Sequence, residues 1–195
     1  VVAATIYGIG KTFLWPTMLA VVSEQFPKGG AITIGAAGGV GMLAAGLLGG
    51  PGIGFLQDQN ASASLRQADA AVFERYKAPK ENAFLWLKTV GLDGAKVGVL
   101  EDGGKEAQRA LELLQKENAT PETVASQRAL VSWWADTASG TAATDKPLVE
   151  QAGLFGGRRA LTLTALVPAV MFACYALLLA WFRSRGGYRP RGMHH

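Results

Sequence analysis

The sequence predicts an all-α membrane protein: three transmembrane helices and a mostly helical insertion outside the bilayer. Three observations carry this reading. Three stretches are long and apolar enough to cross a membrane. The charges are segregated, with 11 Lys and Arg and 14 Asp and Glu in residues 57–157, against 8 basic residues and one acid, Glu24, in the remainder. Glycine, at 25 of 195 residues, is concentrated in one of the apolar stretches, where small residues let membrane helices approach closely. The basic excess sits in short clusters beside apolar segments, which is a membrane pattern and not a nucleic-acid one. The single cysteine, Cys174, excludes an internal disulfide framework and a Cys-rich zinc site.

Residues 1–56 are expected to form two transmembrane helices joined by a short cytoplasmic link near 23–30. The first, residues 1–22, is apolar except for Lys11. It opens without Met and without a basic leader, so it is not a signal peptide, and the chain is expected to begin inside a larger protein. The second, residues 29–56, has no charge and 11 glycines. In water that glycine content disfavours helix by up to about 1 kcal/mol per residue. In hydrocarbon the backbone must satisfy itself, so helix is retained. Two rows spaced by four, Gly35 with Gly39 and Gly46 with Gly50 and Gly54, mark expected helix-packing positions, and the helix is expected to end near Pro51 or just beyond.

Residues 57–157 read as an extracytoplasmic helical insertion. Leu65, Ala68, Val72 and Tyr76 recur at helical spacing over 62–76, and Ala107, Ala110, Leu111 and Leu114 share a face over 103–118. Thr120 followed by Pro121 is a helix start, as N-cap and first helical residue, and that helix should reach about Ala138. Residues 84–99 are apolar but broken by Gly91, Gly94 and Gly98. Gly103-Gly104-Lys105 imitates part of a phosphate loop, yet Val99 stands where the first glycine belongs and Glu106 replaces the magnesium-holding hydroxyl. Asn60-Ala61-Ser62 and Asn118-Ala119-Thr120 fit the glycosylation triplet, a pattern that short sequences match by chance.

Residues 158–195 hold the last span and a basic tail. Residues 160–182 carry no charge over 23 positions, about 35 Å of helix, with Pro168 expected to kink it. Arg183, Arg185, Arg189 and Arg191 outnumber Arg158 and Arg159 at its other end, which puts the tail in the cytoplasm.

Lys11 demands an explanation, because a lysine at bilayer depth costs about 2.5–3.5 kcal/mol on insertion scales. Tyr7, Lys11, Trp15 and Met18 fall within about 80° on one helix face. A stripe that combines aromatic area with donors suits a cavity that holds a polar ring-shaped solute, so Tyr7, Lys11 and Trp15 are the candidate substrate-binding residues. No catalytic set of Ser with His, paired Asp, or His with Glu occurs in the spans, and neither enzyme activity, a metal nor another cofactor is expected.

Lys11-Thr12-Phe13-Leu14-Trp15-Pro16-Thr17-Met18, followed by Ser23-Glu24-Gln25-Phe26-Pro27-Lys28-Gly29-Gly30, resembles the tenth helix and next short loop of major facilitator superfamily transporters. Its aromatic-Pro-Thr run is similar to the fucose/galactose permease branch. Gly46-Leu47-Leu48-Gly49-Gly50-Pro51-Gly52-Ile53-Gly54 resembles an eleventh helix and fits the GxxxGPxxG pattern that antiporters of the superfamily carry in the fifth. The end of the last span resembles a twelfth helix with its basic tail. A link of about 100 residues between the last two helices, usually short in the superfamily, is a departure. The resemblance implies a major-facilitator-type bundle and secondary active transport by alternating access. The implied partners are a small polar solute such as a sugar, a co-transported ion such as a proton, membrane lipid, and the remaining helices of the same transporter. A bacterial inner membrane is the expected location. The competing class is a membrane-anchored extracytoplasmic binding or sensor protein, with residues 57–157 as its working domain.

Overall fold

A computed structural model describes residues 2–187, apart from the side chains of residues 2–4, 6, 7, 9–11 and 14. The chain is mostly helical and divides into two compact units, one of residues 1–50 with 167–195, the other of residues 51–166. The second unit is wider than the charged segment 57–157, because the helices at its two ends carry its packing past the last charges.

In the first unit, α1 (Val2–Gln25) is followed by a 3-10 turn at Pro27–Gly29 and by α2 (Gly30–Ala44). Pro27 supplies a fixed φ for the turn, and Gly30 takes φ +49 and closes it by donating to the Pro27 carbonyl, a backbone state that favours glycine. Helical bonding does not stop at Pro51. It passes through one π turn, Ala45–Gly49, into α3 (Gly50–Ala68). The sequence expectation of an end near Pro51 is therefore corrected. Proline lacks an N–H and crowds the carbonyl four residues back, and the wider π turn just before it re-registers the ladder.

The second unit begins on α3. The expected single helix over 62–76 is two, because Asp69 adopts an extended backbone and caps α4 (Ala70–Tyr76), accepting from the amides of Ala71 and Val72. Leu65, Val72 and Tyr76 are buried as the spacing predicts, whereas Ala68, last in α3, is exposed. Residues 84–99 are not one helix: β1 (Asn82–Phe84) and β2 (Leu87–Thr89) form an antiparallel hairpin pairing Phe84 with Leu87. So the fold is not purely α. Asp93 then caps α5 (Gly94–Asp102). Gly103 and Gly104, both at positive φ, turn the chain into α6 (Lys105–Lys116). Thr120 caps α7 (Pro121–Trp133) through the Thr123 amide, and helical bonding runs on to Ala138, as the sequence predicts. After a short 3-10 turn come α8 (Ala142–Thr164) and α9 (Leu166–Ser184). The helical ladder is interrupted at Ala165, three residues before Pro168, where the missing N–H of that proline releases the Thr164 carbonyl.

The core of the second unit is Leu65, Val72, Phe73, Tyr76, Leu100, Ala138, Val149 and Ala152. Among the described residues two helical runs, Pro27–Ala68 and Pro121–Ser184, are long and apolar enough to cross a membrane, and none of either apolar window is buried.

Candidate functional site

Tyr7 and Lys11 lie on α1, but their side chains fall outside the described residues. Trp15 is described. Its ring lies against Gly41 of α2, where a Cβ would stand 2.5 Å from the indole. Glycine at 41 is what lets the two helices close over the ring. The structure thus gives Trp15 a packing contact, with part of its surface still exposed.

The glycine rows chosen from the sequence behave differently. Among the described residues, a Cβ at Gly35, Gly39, Gly46, Gly50 or Gly54 would meet nothing within 4 Å. Among the described residues the close approaches between elements include Gly41 against Trp15, Gly52 against Phe84, Gly91 against Asp58, Gly104 against Trp134, and Gly156 against Gln57 and Ala61. Spacing identifies a helix face with no side chains, but not what covers it.

Hydroxyls in the apolar helices turn back on their own backbone. Thr12 donates to the Gly8 carbonyl, Thr17 to Phe13, Thr162 to Arg158 and Thr164 to Ala160, at 2.6–2.9 Å. That leaves no unsatisfied donor on those four side chains, as a medium without water requires. In the first unit a cleft of about 400 Å³ is lined by Met18, Val21, Val22, Tyr175, Leu178, Leu179, Phe182 and Arg183. Apart from Arg183 its walls are almost wholly apolar, so it suits an acyl chain or another helix better than a polar solute.

The densest polar site lies in the second unit. Arg75, at the end of α4, donates to both carboxylate oxygens of Asp145 on α8, at 2.7 and 3.0 Å. Thr141 donates a third bond at 2.7 Å. The Asp145 side chain is 2% exposed and that of Arg75 26%. Burial pushes the Asp145 carboxyl up, but the hydrogen bonds from Arg75 and Thr141 and the Arg75 charge outweigh it, so the group sits below the ordinary carboxylate range. The hydrogen bond to Asp145 raises Arg75 further. Tyr76 is pushed up to about 12, by burial first and by the neighbouring Asp145 carboxylate. Its ring meets Trp133 edge-on at 5.5 Å, and Lys96, over the other ring at 5.0 Å, donates to the Arg75 carbonyl. A carboxylate enclosed by three donors and shut from solvent braces α4 against α8. It presents nothing to a substrate.

Two sequence readings resolve by geometry. At Gly103-Gly104-Lys105 the Asp102 carboxylate accepts from the Gly104 and Glu106 amides at 2.8 and 2.7 Å. These bonds, that to Glu106 foremost, hold Asp102 below its ordinary range. The start of α6 is thus already occupied by an acid and does not take phosphate. Asn60 sits inside α3, its amide donating to the Leu56 carbonyl, with Ser62 buried beside it, so that triplet is closed. Among the described residues no group of His, Cys, Asp and Glu could hold a metal.

Sequence reasoning missed the Arg75–Asp145 pair, whose members are 70 residues apart and carry no local signal, and the hairpin at 82–89. It also missed the small stripe Ala152, Gly156 and Ala160, all buried on α8, although their spacing of four is the very pattern it sought elsewhere. The chain matches no family model, no curated protein and no solved structure.

Proposed function

We propose that this chain is the C-terminal part of a secondary active transporter of the major facilitator type, moving a small polar solute such as a sugar by alternating access. One observation carries most of this: two helical runs of membrane-spanning length have no residue of their apolar windows buried by the described chain, so lipid and further helices are needed to cover them. In this reading α1 is a third span, and the empty face of Gly35, Gly39, Gly46, Gly50 and Gly54 receives helices from the rest of the protein. Tyr7 and Lys11 are the solute contacts, with the free part of Trp15 beside them. A co-transported ion such as a proton, or the solute gradient, drives the cycle.

The test is uptake into proteoliposomes by the whole protein. Lys11→Ala is expected to insert normally and to lose roughly 10- to 150-fold in solute affinity, the loss of one charged hydrogen bond of about 1.5–3 kcal/mol. Normal uptake by Lys11→Ala would remove Lys11 from the pathway.

The same reading places the 57–157 insertion outside the cytoplasm and the Arg183–Arg185 tail within it. In a Cys174→Ala background, Lys105→Cys is expected to react with an impermeant maleimide from the outer face of intact cells. Reaction only after the inner face is opened reverses the orientation.

A second reading, a membrane-anchored extracytoplasmic binding or sensor domain, is favoured by the separate core and the buried Arg75–Asp145 brace of residues 51–166. It requires that the whole protein carry no solute at all, which the uptake measurement decides.

A further inference from the structure

The hairpin at 82–89 is chemically odd. A two-residue hairpin turn favours Asn, Asp or Gly, because the backbone goes left-handed there. Here the turn is Leu85-Trp86, and Leu85 takes φ +55, a state that disfavours a bulky side chain. Turn chemistry therefore does not explain the residues. What they share is exposure: Leu85 is 61% exposed, Trp86 82% and Leu87 44%. Lys88 follows Leu87 in the middle pair of the hairpin and Lys80 precedes its base, with Glu81 3.9 Å from Lys88.

The direction of the hairpin is fixed by α3. Asn82 donates to Asp58 at 2.7 Å. Two residues on, the Phe84 ring lies 6.0 Å from that of Phe55 and is the group a Cβ on Gly52 would meet at 3.0 Å. Two strand residues advance about 7 Å. The step from Asp58 to midway between Phe55 and Gly52 is also about 7 Å of helix. Strand β1 therefore runs alongside α3, from its polar part toward its apolar start. The uncharged stretch of the sequence ends at Leu56, and Gln57 and Asp58 follow. One or two residues beyond Phe84, the tip stands level with the neighbourhood of Pro51, on the apolar side of that boundary by about 6–10 Å.

We propose that Leu85-Trp86-Leu87 is a membrane-interface anchor: the hairpin tip seats in the headgroup and upper acyl layer of the bilayer that takes the start of α3. Indole prefers that layer, the depth matches that of apolar groups lying in an interface, and Lys80 and Lys88, behind the tip, supply positive charge for the phosphates. The anchor ties the insertion to the lipid surface beside its own entry helix. The strain at Leu85 serves to present three consecutive apolar side chains to one medium. This inference rests on the membrane reading above.

The whole protein in phospholipid vesicles tests it, with acyl chains brominated close to the headgroup as quencher and aqueous acrylamide as the opposing one. Comparison of the parent with Trp86→Phe isolates the emission of Trp86, and comparison with Trp181→Phe isolates that of a residue in the apolar α9. The expected result is loss of the Trp86 component in brominated lipid with little loss to acrylamide. A Trp86 component quenched by acrylamide alone places the tip in water, and one quenched by neither places it under protein. Both overturn the anchor while quenching of Trp181 by brominated lipid leaves the membrane reading intact. If brominated lipid quenches neither tryptophan, the membrane reading fails with it.

Discussion

Arg75→Met is expected to destabilise the 51–166 unit by about 3–5 kcal/mol at neutral pH, the usual effect of stranding a buried charge. Asp145→Asn should cost less. The asymmetry follows from exposure: removing Arg75 strands a carboxylate that is 2% exposed, whereas removing the carboxylate leaves a guanidinium that is 26% exposed and reaches water. Replacing both, as Arg75→Met with Asp145→Leu, should recover much of the loss, because apolar groups of similar volume need no partners. Chemical unfolding in detergent, followed by the near-ultraviolet signal of Trp133 against Tyr76, reads all four. Equal losses for the two single variants would show that the pair is not differentially solvated.

The same pair fixes a sign for pH dependence. In the parent, the folded Asp145 sits below its ordinary value of 3.8. Its contribution is fully present above that value and is lost as pH falls through it toward the lower folded value. In Arg75→Met the two Arg75 hydrogen bonds and the Arg75 charge are gone, and the Thr141 bond is left against burial, the largest single influence on the group, so its folded value is expected to rise above the ordinary one. That variant should grow more stable as pH falls from neutrality toward 4, where the parent is level. A parallel pH profile in parent and variant would mean that Asp145 titrates freely.

How far the sequence foretold this molecule depends on whether each signal was local. The cap at Thr120, the run to Ala138, the buried face of Leu65, Val72 and Tyr76, and the break before Pro168 all depend on neighbours within one or two turns, and all were legible. The break at Asp69 was legible in kind, since Asp is a good N-cap, but the helical period ran straight across it. Pro51 misled, because a proline stop holds only where the ladder cannot be re-registered. The hairpin was hidden because Leu85-Trp86 is the wrong chemistry for its turn. The Arg75–Asp145 pair needs tertiary knowledge that no period contains. Of the proposed solute contacts, Trp15 also carries a packing role on Gly41, which depends on how α1 and α2 meet and not on the face of either helix alone.

The glycine that most limits the fold is Gly156. Its missing side chain is the space in which α8 meets α3: a Cβ there would stand 2.6 Å from the Gln57 carbonyl oxygen, 2.8 Å from the Ala61 Cβ and 2.9 Å from the Ala61 amide nitrogen. Two of these three atoms are backbone within a helix, so no rotamer change relieves the contact and the helices must separate. Gly156→Ala should therefore cost about 1–3 kcal/mol, and Gly156→Leu more, as overpacking does. The neighbours supply the control on the same helix. Among the described residues a Cβ at Gly153 or Gly157 would meet nothing within 4 Å, and Ala is the better helix former by about 1 kcal/mol. Gly153→Ala and Gly157→Ala should thus leave the unfolding midpoint unchanged or raise it. The pattern expected across one helical turn is a gain, a large loss, then a gain at 153, 156 and 157. Losses of equal size at all three would mean that glycine is needed here for backbone freedom and not for the closeness of α3, and would remove the helix contact from the account of why this unit holds together.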